Sequence, residues 1–65
     1  MKLTVNGKEV DFDGATVYDL VIKYNLNPEG IVVERNSIII HRESYREVRP
    51  MEGDRIEIVT FVGGG

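Results

Sequence analysis

The spacing of apolar residues changes along this chain, and the changes divide it into elements. Lys2-Leu3-Thr4-Val5-Asn6 alternates polar and apolar, and Asn6-Gly7 is the strongest short-range signal for a two-residue hairpin turn. With that turn Val5 faces Lys8, Leu3 faces Val10 and Met1 faces Phe12. Met1, Leu3, Val5, Val10 and Phe12 then share one face, and Lys2, Thr4, Glu9 and Asp11 the other. Asp13-Gly14-Ala15 breaks the strand. Val17, Leu20, Val21 and Tyr24 follow at i, i+3, i+4 and i+7, the stripe of a helix of about nine residues. Thr16 and Asp19 form a capping-box variant at its start, and Lys23 sits late, where the helix dipole favours positive charge. A helix this short is not stable alone, so its stripe must lie on a sheet. Asn25 to Gly30, with Pro28, ends it.

Ile31-Val32-Val33 and Ile38-Ile39-Ile40 read as short strands around a turn at Glu34-Arg35-Asn36-Ser37. Runs apolar on both faces are buried on both sides or lie at a contact surface. His41 to Glu47 is polar, with only Tyr45 and the nearby Val48 to bury, and predicts an irregular or one-turn connection. Arg49 to Asp54 is loop and turn chemistry. Arg55-Ile56-Glu57-Ile58 alternates cleanly, but from Val59 the alternation fails. Val59 and Phe61 fall on the face of Arg55 and Glu57, and Thr60 falls on the core face unless a bulge shifts the phase. Strand, strand, helix, strand, strand, short turn, strand is an α+β order. It predicts a β-grasp, or ubiquitin-like, fold: a mixed sheet of four or five strands with one main helix across it. The competing ferredoxin-like split βαβ needs a second long helix, and the Arg42 to Glu47 segment is a poor one.

Length and composition narrow the chemistry. Sixty-five residues make one domain, 1–65, near the lower limit for folding unaided, since a chain this size buries only about 60% of its unfolded surface. Without cysteine there is no disulfide, no Cys-based zinc site and no thiol nucleophile. A single histidine, His41, excludes a multi-histidine metal cluster and reads as a surface or turn residue. Eight basic against eleven acidic residues leave a net charge of −3, which argues against nucleic-acid binding and suits a basic partner surface. The apolar runs are too short to span a membrane, and Met1-Lys2-Leu3 leads into a strand pattern rather than a signal peptide. The expected compartment is the cytoplasm. Arg42, Arg46 and Arg49 with Glu43 and Glu47 read as a solvated cluster with i,i+3/i+4 pairing, and Asp54 as the residue that closes the Gly53-Asp54 turn.

The chain closes on Val62-Gly63-Gly64-Gly65. Three glycines supply no base, ligand or core. They offer a thin main chain ending in a carboxylate, ionised above a pKa of about 3.3–3.7. Such a chain can enter a channel that only a main chain fits. Taken alone, 62–65 reads as a frayed end or linker. A last strand that runs directly into it favours a functional, flexible tail: Gly65 carries the reactive carboxylate, Gly63 and Gly64 thread, and no processing is needed before activation. Val59 and Phe61, apolar on a charged face, then form a partner-contact patch with Val62 as the last anchor.

Asn36, the Ile38 to Arg42 stretch, Gly53-Asp54, Ile56-Glu57-Ile58-Val59 and Val62-Gly63-Gly64-Gly65 together resemble the ThiS family of thiamine-biosynthesis sulfur carriers. The resemblance spans essentially the whole chain and is most specific from Gly53 to Gly65. Two positions depart from it: His41, where the family often has proline, and Tyr45, where it has an aromatic, often tryptophan. The resemblance implies a protein co-substrate, not an enzyme. A ThiF-like adenylating partner would use ATP and Mg²⁺ to activate the Gly65 carboxylate. A cysteine desulfurase or other sulfur donor would convert it to a thiocarboxylate, and a ThiG-like thiazole synthase would take the sulfur. No cofactor would be bound by this chain. A MoaD-like or tRNA-thiolation carrier, a ubiquitin-like protein modifier and a passive β-grasp interaction module remain alternatives, because the fold alone does not choose among them.

Overall fold

The Asn6-Gly7 turn forms as its sequence dictates. Asn6 sits at φ 50° and Gly7 at φ 80°, the left-handed pair a tight hairpin requires and these residues readily adopt. It joins β1 (Lys2–Val5) to β2 (Lys8–Asp11), with Leu3 opposite Val10 and Val5 opposite Lys8. This computed structural model describes residues 1–61. Leu3, Val5 and Phe12 are buried on the expected face. Met1 is exposed instead, its ammonium donating to the Phe12 carbonyl at 2.9 Å where the hairpin ends. Gly14 is required behind that ring, because a Cβ there would lie 2.6 Å from Phe12.

The helix α1 (Val17–Lys23) begins with a full capping box. The Thr16 hydroxyl accepts from the Asp19 N–H at 3.2 Å, and the Asp19 carboxylate accepts from the N–H groups of Thr16 at 3.0 Å and Ala15 at 2.9 Å. Those donors, Ala15 first, hold the Asp19 carboxyl below its usual range. The Val17 and Tyr18 N–H groups donate to the carbonyls of Val48 and Tyr45, both at 2.9 Å. The polar connection before the last strand therefore caps the helix as well as burying Tyr45. Val17, Leu20 and Val21 are buried, but Tyr24, the C-cap, is exposed; Asn25 follows left-handed at φ 58° and the helix stops after seven residues.

Three strands complete the sheet: β3 (Ile31–Arg35), β4 (Ile38–Ile40) and β5 (Arg55–Thr60). The order is β2-β1-β5-β3-β4, with β1 and β5 parallel at the centre and the other pairs antiparallel. The predicted β-grasp forms, with five strands and one main helix. Glu34 and Arg35 belong to β3, not to the turn, which is confined to Asn36 and Ser37 at φ 50° and 74°. Neither apolar run is buried on both faces. Ile31, Val33 and Ile40 enter the core, while Val32, Ile38 and Ile39 are exposed. The expected pairing among Arg42 to Arg49 does not form. The segment opens with a 3₁₀ turn, Arg42–Ser44, which lacks α-helical spacing, and Arg46 instead lies over the Tyr18 ring at 3.8 Å. Among the described residues the ion pairs are Lys2–Asp11 and Arg35–Asp54.

Candidate functional site

β5 carries the candidate site, and three attachments aim it. The first is at its head. Asp54, only 8% exposed, accepts from the Met51 N–H at 2.8 Å, Arg35 Nε at 2.8 Å and Asn36 Nδ2 at 3.1 Å. Burial opposes its charge, but these donors outweigh that and hold the carboxyl below the usual carboxylate range. Asp54 thus closes its turn, as expected, and also ties the β3–β4 turn to β5. The Asn36 side chain completes the tie by accepting from the Arg55 N–H at 2.9 Å.

The second attachment lies midway. β1 ends at Val5, yet Asn6 Oδ1 accepts from the Ile58 N–H at 2.7 Å and Asn6 Nδ2 donates to the Ile58 carbonyl at 3.1 Å. The carboxamide stands in for a further residue of β1. The third holds the far end, where the Phe61 N–H donates to the Gly30 carbonyl at 3.1 Å. Gly30 closes the 3₁₀ turn Pro28–Gly30, shaped by Asn27 Oδ1 accepting from the Glu29 N–H at 2.9 Å. Sequence reasoning took Asn6 only as a turn residue. An asparagine at a hairpin turn gives no sign of which distant backbone its amide will meet.

Pairing of β3 with β5 runs residue for residue from Ile31–Thr60 to Arg35–Ile56, so no bulge shifts the phase. Ile56 and Ile58 point into the core, while Val59 (58% exposed) and Phe61 (46% exposed) leave apolar surface in solvent. Val59 shares the outer face of the sheet with Arg55 and Glu57 by alternation, and Phe61 continues that phase. Val32, directly opposite Val59, and Ile39 on β4 extend the patch. Neither was singled out from the sequence, although apolar residues at both parities of a short strand were the available signal. Glu34 pairs in register with Glu57 beside the patch. Thr60 keeps the core parity but is exposed, lining a cleft of about 430 Å³ with Lys8, Tyr24 and Leu26. The expectations for Val62, Gly63, Gly64 and Gly65 fall outside the described residues.

His41 is exposed, with no side-chain capping bond. Among the described residues no group of three or more His, Cys, Asp or Glu side chains could hold a metal ion, and no helix is long and apolar enough to cross a membrane.

Strand order and helix placement define a β-grasp domain whose last strand displays an apolar face just before the glycines. The chain belongs to the ThiS family, which it matches over residues 3–65. It is 48% identical over 65 residues to the sulfur carrier protein ThiS of Bacillus subtilis (strain 168), covering 97% of this chain and 98% of that one. It is 41% identical over 66 residues to a thiazole synthase of Paramagnetospirillum magneticum, covering all of this chain but only 20% of that protein. In structure it is similar to the thiamine biosynthesis protein ThiS of Geobacter metallireducens, with a TM-score of 0.83, 36% identity and full coverage of both chains.

Proposed function

We propose that this protein is a sulfur carrier for thiamine (thiazole) biosynthesis, a co-substrate on which partner enzymes act. The observation that carries the reading is similarity to the Bacillus subtilis carrier over 97% of this chain, together with a family match that runs to residue 65. Similarity over the whole chain to part of a thiazole synthase supports sulfur delivery to such an enzyme. It favours this route over a molybdopterin-type or tRNA-thiolation carrier and over a protein modifier.

The chemistry follows from the weakness of a carboxylate as an electrophile. On a ThiF-like enzyme that binds ATP and Mg²⁺, a Gly65 carboxylate oxygen attacks the α-phosphorus and pyrophosphate leaves. The acyl adenylate carries a good leaving group. The terminal sulfur of a cysteine-desulfurase persulfide then attacks the acyl carbon and AMP departs. A thiol cleaves the resulting S–S bond, and the thiocarboxylate remains on Gly65 for thiazole synthase. Metal, nucleotide and positioning belong to the partners. This chain supplies recognition through Val59, Phe61 and Val62, reach through Gly63 and Gly64, and one reactive atom. It works in the cytoplasm with those enzymes, as a single domain, 1–65, with 62–65 as its tail. Exchange of labelled pyrophosphate into ATP by the adenylating enzyme should depend on this protein and vanish when Gly65 is deleted. Exchange that persists without Gly65 contradicts the reading.

A further inference from the structure

Glu34 and Glu57 are direct Cα partners on neighbouring strands, and both project to the outer face of the sheet. Like charges placed opposite each other on a sheet are destabilising. Neither glutamate is in a salt bridge, since the ion pairs among the described residues are Lys2–Asp11 and Arg35–Asp54. One residue along each strand's face, Val32 pairs with Val59, and both are exposed. Ile39, opposite Glu34, and Phe61, beyond Val59, extend this apolar surface. Arg55 is the neighbouring same-face residue of β5, two positions before Glu57, and makes no salt bridge with either glutamate. An acidic pair thus borders an exposed apolar strip along the strand that leads to the tail, in a chain of net charge −3.

We infer that Glu34 and Glu57 form an acidic clamp for a basic side chain, lysine or arginine, on the adenylating enzyme as it covers Val32, Val59 and Phe61. The inference rests on the sulfur-carrier reading and adds to it the charge of the partner surface. One cation seated between the two carboxylates relieves their repulsion and turns an unfavourable pair in the free protein into a favourable contact in the complex. Because the clamp and the apolar strip sit on one rigid sheet, together they fix the direction in which β5 points its end. Complementary charge of this kind governs encounter rate and register more than it adds affinity.

The test uses the full chain and its adenylating enzyme, with binding followed by calorimetry across a salt series. The double substitution Glu34→Gln and Glu57→Gln should raise the melting temperature of the free protein, which separates loss of the clamp from damage to the fold. It should weaken binding roughly tenfold at low salt and flatten the salt dependence. Phe61→Ala should weaken binding without changing that salt dependence. Wild-type adenylation together with unchanged affinity and salt dependence in the double variant overturns the clamp while leaving the carrier reading intact. If the wild type is neither bound nor adenylated, the carrier reading fails and the clamp falls with it.

Discussion

Asp54 shows how one side chain can set the start of the functional strand. Its carboxylate collects Met51, Arg35 and Asn36 at 2.8 to 3.1 Å from three directions, and the Arg35 pair is mostly sheltered from solvent. Replacing it with alanine strands these donors, and Asp54→Ala should cost about 3 kcal/mol in urea unfolding at neutral pH. The pH dependence has a definite sign. The folded pKa is depressed, so the contribution is complete above the unfolded value of about 3.9 and is lost as pH falls through the lower folded value. Asp54→Asn should therefore lose less stability than the wild type over that acid range. An identical acid dependence in the two proteins would show that the charge on Asp54 contributes nothing. Asn6 works by different means, with a neutral amide replacing strand backbone at Ile58. Neither role follows from local spacing, because both partners lie far along the chain.

At the scale of elements, β5 combines two surfaces. Ile56 and Ile58 bind it to the core, while Val59 and Phe61 leave apolar area in water beside Val32. Burying an aromatic at the centre of a contact contributes heavily to affinity. Phe61→Ala should weaken binding to the adenylating enzyme at least about tenfold in calorimetry, with the circular dichroism spectrum unchanged. Unchanged affinity with an intact fold removes Phe61 from the docking surface. The hairpin, the helix start, the Tyr45 connection and the phase of Val59 and Phe61 were all readable in the sequence, because each follows from turn chemistry, capping or alternation. Other features were not. Ile38 and Ile39 look like core by composition, but β4 is an edge strand, and edge position is a property of the sheet order. The short helix reflects Asn25, whose left-handed turn follows directly on Tyr24, the C-cap. The Glu34–Glu57 pairing needs the β3–β5 register, which links residues 23 positions apart.

As a whole the molecule separates tasks by region. One face of the sheet, covered by α1 and buried against Leu3, Leu20, Val33 and Ile56, provides stability. The other face stays largely bare and carries the Val32, Val59 and Phe61 strip with its acidic border. Asp54, Asn6 and Gly30 brace β5 along its length, up to the N–H of Phe61. That division suits the proposed carrier role, in which partner enzymes recognise the body and act on Gly65. The most direct measurement is the intact mass after incubation with the adenylating enzyme, ATP, Mg²⁺, a cysteine desulfurase, cysteine and a thiol reductant. The account predicts a mass gain equal to exchanging one oxygen for sulfur, localised by fragmentation to Gly65 and lost when ATP is omitted. An unchanged mass with active partner enzymes, or a modification elsewhere in the chain, contradicts it.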